Sequence, residues 1–282
     1  MMRTKKILII GGTGSWGQAL TRRLLSFTDP KIIVIFSRAE RTQFEMSERI
    51  NDCRVRYEIG DIRDKARLQE VMVDCNVVYH LAALKHVPIC EENPIEAIKT
   101  NILGLQNSIE CFNSMDLFDK KFVYLSTDKA VEPINTYGLT KAVAEKMVST
   151  LIPNVQYVIV RAGNVLGTNG SIVPKMVRQA KENKLIWVTH PDMTRFFIDI
   201  DSAVAFLDTS SELDGLQIPI MRAFHINDLA EIIAETYGAR IEYFGIRAGE
   251  RLYEKLTDTG LKSCDNVSSK KELKEMIKEW LV

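Results

Sequence analysis

Lys6-Ile7-Leu8-Ile9-Ile10-Gly11-Gly12-Thr13-Gly14-Ser15-Trp16-Gly17 reads as a short β-branched apolar run that breaks into glycines. Beyond it Ala19, Leu20, Leu24 and Leu25 recur at helical spacing. Strand, glycine turn and helix in that order separate a nucleotide-binding turn from an ordinary glycine pair. The spacing fits Gly12-x-Gly14-x-x-Gly17 and equally Gly11-x-x-Gly14-x-x-Gly17. Glycines let the backbone approach a pyrophosphate, and the helix N-terminus supplies N–H groups and the positive end of a dipole. The turn therefore nominates Gly11, Thr13, Gly14, Ser15, Trp16 and Gly17 as contacts to a dinucleotide.

Working outward, a second strand spans Lys31 to Phe36 and runs into Ser37-Arg38, with Arg41 one turn on. An NAD site commonly places an acid near this point to hold the ribose 2′-hydroxyl. A guanidinium suits a 2′-phosphate instead, so Ser37, Arg38 and Arg41 favour NADP over NAD. A third strand around Val55 to Ile59 ends in Gly60-Asp61-Ile62-Arg63. Asp61 is expected to accept from the adenine amino group, with Ile62 beside it. A fourth, Val77 to His80, runs into Leu81-Ala82-Ala83, small enough to lie close to the cofactor. His80 is expected to be a packed strand-end residue. Phe122 to Ser126 and Val155 to Val160 supply strands five and six.

This alternation implies an α/β fold, a Rossmann-like doubly wound parallel sheet over residues 1–162. After Gly163 turn residues thicken and the apolar segments shorten to Ile186–Val188, Phe196–Ile200, Arg222–Ile226 and Ile241–Phe244. A smaller C-terminal substrate-binding lobe, 163–282, is expected, with about 197–210 returning to the large domain as a helix. Leu273, Met276, Ile277 and Trp280 read as the apolar stripe of a helix laid on a core.

The chain has 282 residues, 46% of them hydrophobic, enough for one large core or two lobes. Formal net charge is zero and no basic stripe stands out, which argues against a nucleic-acid partner. No apolar run approaches membrane-spanning length and no leader is seen before Ile7, so a cytoplasmic protein is expected. Cys53, Cys75, Cys90, Cys111 and Cys264 are scattered, without metal-ligand spacing, and the histidines form no cluster. That pattern fits a reducing compartment and no metal.

The chemistry concentrates in Leu125-Ser126-Thr127-Asp128-Lys129-Ala130, followed by Tyr137-Gly138-Leu139-Thr140-Lys141. Tyr137 and Lys141 are four apart and would share a helix face. An ammonium near a phenol lowers the phenol pKa and makes a base suited to an alcohol. On the strand reading, Gly11, Asp61, Ala82, Ser126, Thr127, Asp128, Lys129 and Gly163 all fall at carboxyl ends of strands. Ligands bind there in open α/β sheets.

Together these segments resemble the extended short-chain dehydrogenase/reductase superfamily. Within it, the chain is similar to the inverting UDP-N-acetylglucosamine 4,6-dehydratases of capsule and flagellin-glycan synthesis. The resemblance runs from about Lys6 to Glu254. It is carried by Leu81-Ala82-Ala83-Leu84-Lys85-His86-Val87-Pro88, Lys99-Thr100-Asn101, Thr127-Asp128-Lys129, Tyr137-Gly138-x-Thr140-Lys141, Arg161-x-Gly163-Asn164, Met193-Thr194-Arg195-Phe196 and Gly245-Ile246-Arg247-x-Gly249-Glu250. Ala162 and Ala248 depart from the family, which often has tyrosine and proline there.

The resemblance implies roles. Tyr137 is the base toward the sugar 4-hydroxyl, Lys141 tunes it and contacts the nicotinamide ribose, and Thr127 hydrogen-bonds the same hydroxyl. Asp128 and Lys129 are the acid and base of elimination. Leu81, Ala82, Ala83, Lys85 and Asn101 contact the cofactor. Lys85, His86, Asn164, Val173, Arg195, Arg247 and Glu250 hold UDP-N-acetylglucosamine or a close UDP-hexosamine. The implied reaction oxidises C4, eliminates water across C5 and C6, and returns the hydride to C6 with inversion at C5. Lys129 must be neutral to act as base. Lys141, the nicotinamide charge and burial would lower its pKa, while Asp128 would raise it. The resemblance also implies a homodimer or higher assembly through helices around Pro94–Phe112 and Leu139–Ser149. A 4-epimerase or reductase, a dehydratase with added C5-epimerase activity, and a non-catalytic NADP-sensing scaffold remain open at this level.

Overall fold

In the computed structural model, residues 5–152 and 155–281 are described. The chain alternates β1 (Lys6–Ile10), α1 (Ser15–Phe27), β2 (Ile32–Ser37), α2 (Glu40–Arg49), β3 (Val55–Ile59), α3 (Lys65–Met72) and β4 (Val77–His80). Strands buried on both faces read as unbroken apolar runs, and Ile7, Leu8, Ile9 and Ile10 have no exposed surface. Alternate side chains feed two cores. Leu8, Ile10, Val34 and Phe36 pack with Leu68, Leu105 and Val148. Ile7, Ile9, Ile33 and Ile35 pack with Leu20, Leu24 and Met46 on the opposite face.

The chain continues through α4 (Val87–Glu92), α5 (Pro94–Ile98), a π-helical turn at Lys99–Leu103 and α6 (Gly104–Ser114). Pro88 and Pro94 sit in the first turns of α4 and α5, where a missing N–H costs nothing. Then come β5 (Lys121–Thr127), one 3-10 turn at Asp128–Ala130, α7 (Thr136–Leu151) and β6 (Gln156–Ala162). Asn135 caps α7, its side chain accepting from Gly138 N at 2.8 Å.

Beyond β6 lie β7 (Asn164–Val165), α8 (Ile172–Asn183), β8 (Leu185–Val188), β9 (Thr194–Ile198), α9 (Ile200–Ser210), β10 (Gly215–Gln217), β11 (Arg222–His225), α10 (Ile226–Tyr237), β12 (Arg240–Tyr243) and α11 (Lys270–Met276). The main sheet has seven strands in the order β10-β6-β5-β4-β1-β2-β3, every pair parallel. β11-β9-β7 form a second sheet and β12-β8 a parallel pair. These pieces enclose a third core of α8 and α10 residues, including Val173, Met176, Leu229 and Ile233. Leu273 and Ile277 are fully buried in it while Lys271, Glu272, Lys274 and Glu275 face outward, so the C-terminal helix lies on the surface with its apolar stripe against this core.

α9 lies on the main sheet, with Val204 and Leu207 in the α1 core, and β10 then pairs with β6. The chain thus crosses between the two cores more than once. Strand order reverses beside β1, whose neighbours are β2 and β4, and the crevice for a ligand lies beyond the carboxyl ends there. Among the described residues no helix is long and apolar enough to cross a membrane, and no group of histidines, cysteines and acids is placed to hold a metal ion.

Candidate active site

The glycine turn is tight for identifiable reasons. Gly11 has φ +80°, and a Cβ there would lie 2.8 Å from Ala82 N. A Cβ on Gly17 would overlap the Gly12 backbone. Gly14 caps α1 without a side-chain hydrogen bond, which leaves the first-turn N–H groups uncapped by side chains. This is a cradle built for a close-approaching anion, and it fits the pyrophosphate of a dinucleotide. Trp16, Leu81 and Ala83 line the main cavity, which has a volume of about 730 Å³. Thr13 uses its carbonyl to accept from Gln18 Nε2 at 2.7 Å.

The adenosine end differs from expectation in detail. Both Asp61 carboxylate oxygens accept from Arg63, at 2.7 to 3.1 Å, so the acid is engaged by protein donors. Burial would raise the Asp61 pKa, but Arg63 and then Arg38 hold it below the usual value. Arg38 stands 3.7 Å from Asp61, whereas Arg41 is paired with Glu45 on the open surface at 2.7 Å. Ser37 accepts from Gln43 Nε2 at 3.1 Å. Ile62 is a core residue packed against Gly104. Asn101 is buried, binding Leu84 N and O and Thr140 Oγ1. It latches the segment after β4 to α7.

At the end of β5 the groups nominated from the sequence as catalytic come together. Thr127 Oγ1 donates to Asp128 Oδ1 at 2.9 Å, and Lys129 Nζ donates to the same oxygen at 3.0 Å. Asp128 has no exposed surface, and its Oδ2 has no hydrogen-bond partner among the described residues. Gly163 permits this, because a Cβ there would sit 2.9 Å from Phe196 Cβ and 3.2 Å from Asp128 Oδ2. Thr127, Lys129, Tyr137 and Lys141 share the wall of the main cavity. Gly138 brings α7 down onto the 3-10 turn, since a Cβ at that position would overlap the Lys129 carbonyl.

Two proton affinities depart from the sequence reading. Tyr137 is raised rather than lowered: burial dominates, Asp128 adds to it, and a hydrogen bond with Thr127 opposes. Burial also pushes Lys141 down, to about 7, with Glu145 pulling the other way. Its Nζ donates to the Leu125 carbonyl and stands 4.0 Å over the Tyr124 ring. For Lys129, burial lowers the pKa, but Asp128 and Glu254 together outweigh it and raise it. His80 is buried between Phe122 and Tyr124 and is driven down to about 3, chiefly by burial, as a packed strand-end residue.

The opposite wall comes from the small sheet and the segment after β12. Asn164, Arg247 and Glu250 line the cavity, and Glu250 Oε2 is buried without a partner. Arg247 lies 4.3 Å over Phe244 and has no carboxylate partner among the described residues. Lys85 donates to the Asn169 carbonyl at 2.9 Å, while His86 packs against Gly170. One expectation changes: Val173 is fully buried in the third core, so it lies behind the wall instead of forming it. Arg195 lines the cavity and also directs Nη1 and Nη2 to the carbonyls of Thr194, Arg251 and Leu252, tying down the 251–252 backbone.

Glu254 is the residue that sequence reasoning missed. It lines the cavity, is 5% exposed, and stands 3.7 Å from both Lys129 Nζ and Arg195 Nε. Its only signal in the sequence is a second acid shortly after Glu250.

The profile of the polysaccharide biosynthesis protein family matches residues 7–276. The chain belongs to that family. A relative from Campylobacter jejuni, named UDP-N-acetylglucosamine 4,6-dehydratase (inverting), is 44% identical over 90% of this chain and 78% of its own length. A Rickettsia bellii relative named UDP-glucose 4-epimerase is 37% identical, covering 92% of this chain and 79% of its own. The X-ray structure of Pen from Bacillus thuringiensis superimposes with a TM-score of 0.92 at 33% identity, over 99% of this chain and 98% of that one. As a member of the polysaccharide biosynthesis protein family, the chain has relatives named for two reactions, and the groups at the end of β5 bear on which it performs.

Proposed function

We propose that the chain is an NADP-dependent dehydratase of UDP-N-acetylglucosamine, or of a close UDP-hexosamine, that eliminates water across C5 and C6 and inverts C5. One observation carries the reading. Lys129, in the same cavity wall as Tyr137, places its amine against the buried Asp128 behind it. Exchange of configuration at C4 needs a base at the 4-hydroxyl only, and an amine–carboxylate pair beside it has no task in that reaction.

The hydrogen on C5 of a hexose is not acidic until C4 is a ketone. When bound at the glycine turn, the nicotinamide cofactor supplies the hydride acceptor for C4 and the donor for C6. Tyr137 takes the 4-hydroxyl proton, with Thr127 bonded to the same hydroxyl. Lys129, neutral, takes the C5 proton. Asp128 protonates the departing C6 hydroxyl, and its unpartnered Oδ2 is the atom suited to carry that proton. Reprotonation from the opposite face inverts C5.

Arg38 supports NADP, since Arg41 is occupied by Glu45. Arg247, Glu250 and Asn164 form the grip on the nucleotide sugar, where an unpaired guanidinium suits a diphosphate. Five free cysteines, three of them buried, suit the reducing cytoplasm. Ile95, Ile98, Leu103, Leu139 and Val143, all at least 40% exposed on α5, the π-helical turn and α7, form the face on which two copies would pair.

The test incubates the protein with UDP-N-acetylglucosamine and follows product mass, with NADP and NAD in parallel. Loss of one water, faster with NADP, is expected. Lys129→Met should reduce uptake of solvent deuterium at C5 by about a hundredfold or more. An isomer of unchanged mass would establish the epimerase instead, and undiminished exchange in Lys129→Met would remove Lys129 from its role.

A further inference from the structure

Two carboxylates flank one amine. Lys129 Nζ lies 3.0 Å from Asp128 Oδ1 and 3.7 Å from Glu254 Oε1. Asp128 and Glu254 are both buried, with side-chain exposures of 0% and 6%. Glu254 is also held in place. Its backbone N–H donates to Ser263 Oγ at 2.9 Å, and its carbonyl accepts from Ser263 N at 2.9 Å. Ser263 Oγ in turn pairs with Thr194 Oγ1 at 2.8 Å, both residues having no exposed surface.

The segment around it is strapped across the end of the main sheet. Asn135 Nδ2 donates to Gly249 O at 2.8 Å, Arg195 holds the carbonyls of Arg251 and Leu252, and Arg161 Nη1 donates to Leu256 O at 2.7 Å. Glu254 therefore stands on a fixed frame and faces the amine from a different element than Asp128 does.

The reaction read above gives this arrangement a purpose. To protonate the leaving hydroxyl, Asp128 must carry a proton and is then neutral. At that moment Lys129 takes the C5 proton and becomes a cation. An ammonium buried beside a neutral acid lacks the charge that makes its formation favourable.

We propose that Glu254 is the counter-ion of Lys129 during elimination, a positioning residue that stays a carboxylate while Asp128 acts as the acid. The C5–H bond breaks, its electron pair moves toward the C4 carbonyl oxygen, and an N–H bond forms on Lys129. The enolate pair then forms the C5–C6 double bond as the C6–O bond breaks, and the Asp128 O–H bond breaks as its proton passes to the leaving oxygen, releasing water. Glu254 exchanges no proton. Burial and the Asp128 charge raise the proton affinity of Glu254, and Lys129 and then Arg195, each 3.7 Å from its carboxylate, oppose that shift, so a cationic Lys129 is the state that holds Glu254 as a carboxylate. The inference rests on the dehydratase reading.

The test uses the full chain with Glu254→Gln and Glu254→Asp, against wild type. If wild type releases no water from UDP-N-acetylglucosamine, the dehydratase reading has failed, whatever the variants do. With wild type active, Glu254→Gln should lose about tenfold or more in kcat for water loss and in C5 deuterium uptake, with KM changed by less than about threefold. Oxidation at C4, seen as transient reduced-nicotinamide absorbance, should persist at the wild-type rate.

The pH profile separates charge from shape. Glu254 raises the proton affinity of Lys129, so removing its charge should move the limb governed by neutral Lys129 toward lower pH. Glu254→Asp should keep the limb in place and recover part of the rate. If Glu254→Gln slows C4 oxidation and elimination alike with an unmoved limb, the residue is only structural. If it leaves elimination unchanged, the proposal is overturned. Should Glu254→Gln fail to fold, Glu254→Asp decides alone, because an unmoved limb with C4 oxidation intact and elimination slowed is required of it.

Discussion

Lys141 shows how much the protein accepts at a single residue in order to build this site. A buried lysine with its pKa brought down from 10.5 to about 7 binds fewer protons folded than unfolded across that interval. Where the unfolded chain binds more protons, stability rises with pH. The Lys141 contribution therefore makes the protein progressively more stable from about pH 7 to about pH 10.5, and below pH 7 the full penalty of charging the buried amine applies. Lys141→Met should be more stable than wild type at pH 7, and its melting temperature should climb less between pH 7 and pH 10, as followed by circular dichroism. An equal slope for both proteins would mean that Lys141 does not titrate in that interval. That Tyr137 and Lys141 stand on one cavity wall was readable from a spacing of four. The direction in which each is shifted was not, because burial is a property of everything packed around the pair.

At the scale of elements, the contact of α7 with the 3-10 turn after β5 sets the geometry of Tyr137 against Lys129. Only a glycine at 138 allows it, since a Cβ there meets the Lys129 carbonyl. Gly138→Ala should force the two elements apart. We expect a loss of about 1–3 kcal/mol in stability from overpacking and about a hundredfold in kcat from misplaced groups. Thermal melts and steady-state rates measure the two separately. A variant with wild-type kcat would show that the close approach serves folding alone. The strands at this scale were legible: β-branched runs after Lys6, Lys31 and Phe122 and their glycine or small-residue ends announced β1, β2 and β5. The π-helical turn at Lys99–Leu103 was not, because nothing in Lys99-Thr100-Asn101 marks an extra residue per turn. That turn presents Asn101 to Leu84 and Thr140, bonds that no spacing in the sequence announces.

For the whole molecule, the exposed apolar face of α5 and α7 carries the remaining prediction. Leu139 and Val143, 52% and 51% exposed one turn apart, are expected to lie at the centre of a two-fold contact. Sedimentation should show a wild-type dimer and a monomer for the double variant Leu139→Asp, Val143→Asp. A wild-type monomer at micromolar concentration would remove the proposed interface. The crossing of the chain between the main sheet and the third core is another feature of this scale. The main sheet draws on α9 and β10, which follow the first strands of the small sheet in sequence, so the chain order of elements does not match their spatial grouping.

Sequence alone determined the parallel sheet, the glycine turn and the cluster after β5. These depend on local periodicity, on glycine's lack of a Cβ, and on residues adjacent in the chain. Only the tertiary structure decided which arginine is free and which is bound to protein. Arg195, Arg247, Arg38 and Arg41 look alike as letters, yet Arg195 is committed to carbonyls, Arg41 to Glu45, and Arg247 to none of the described carboxylates. Tertiary structure alone also brought Glu254 to Lys129 across more than a hundred residues of chain. Hydrogen bonding and charge pairing act through space over a few ångströms, and no spacing along the sequence records that proximity.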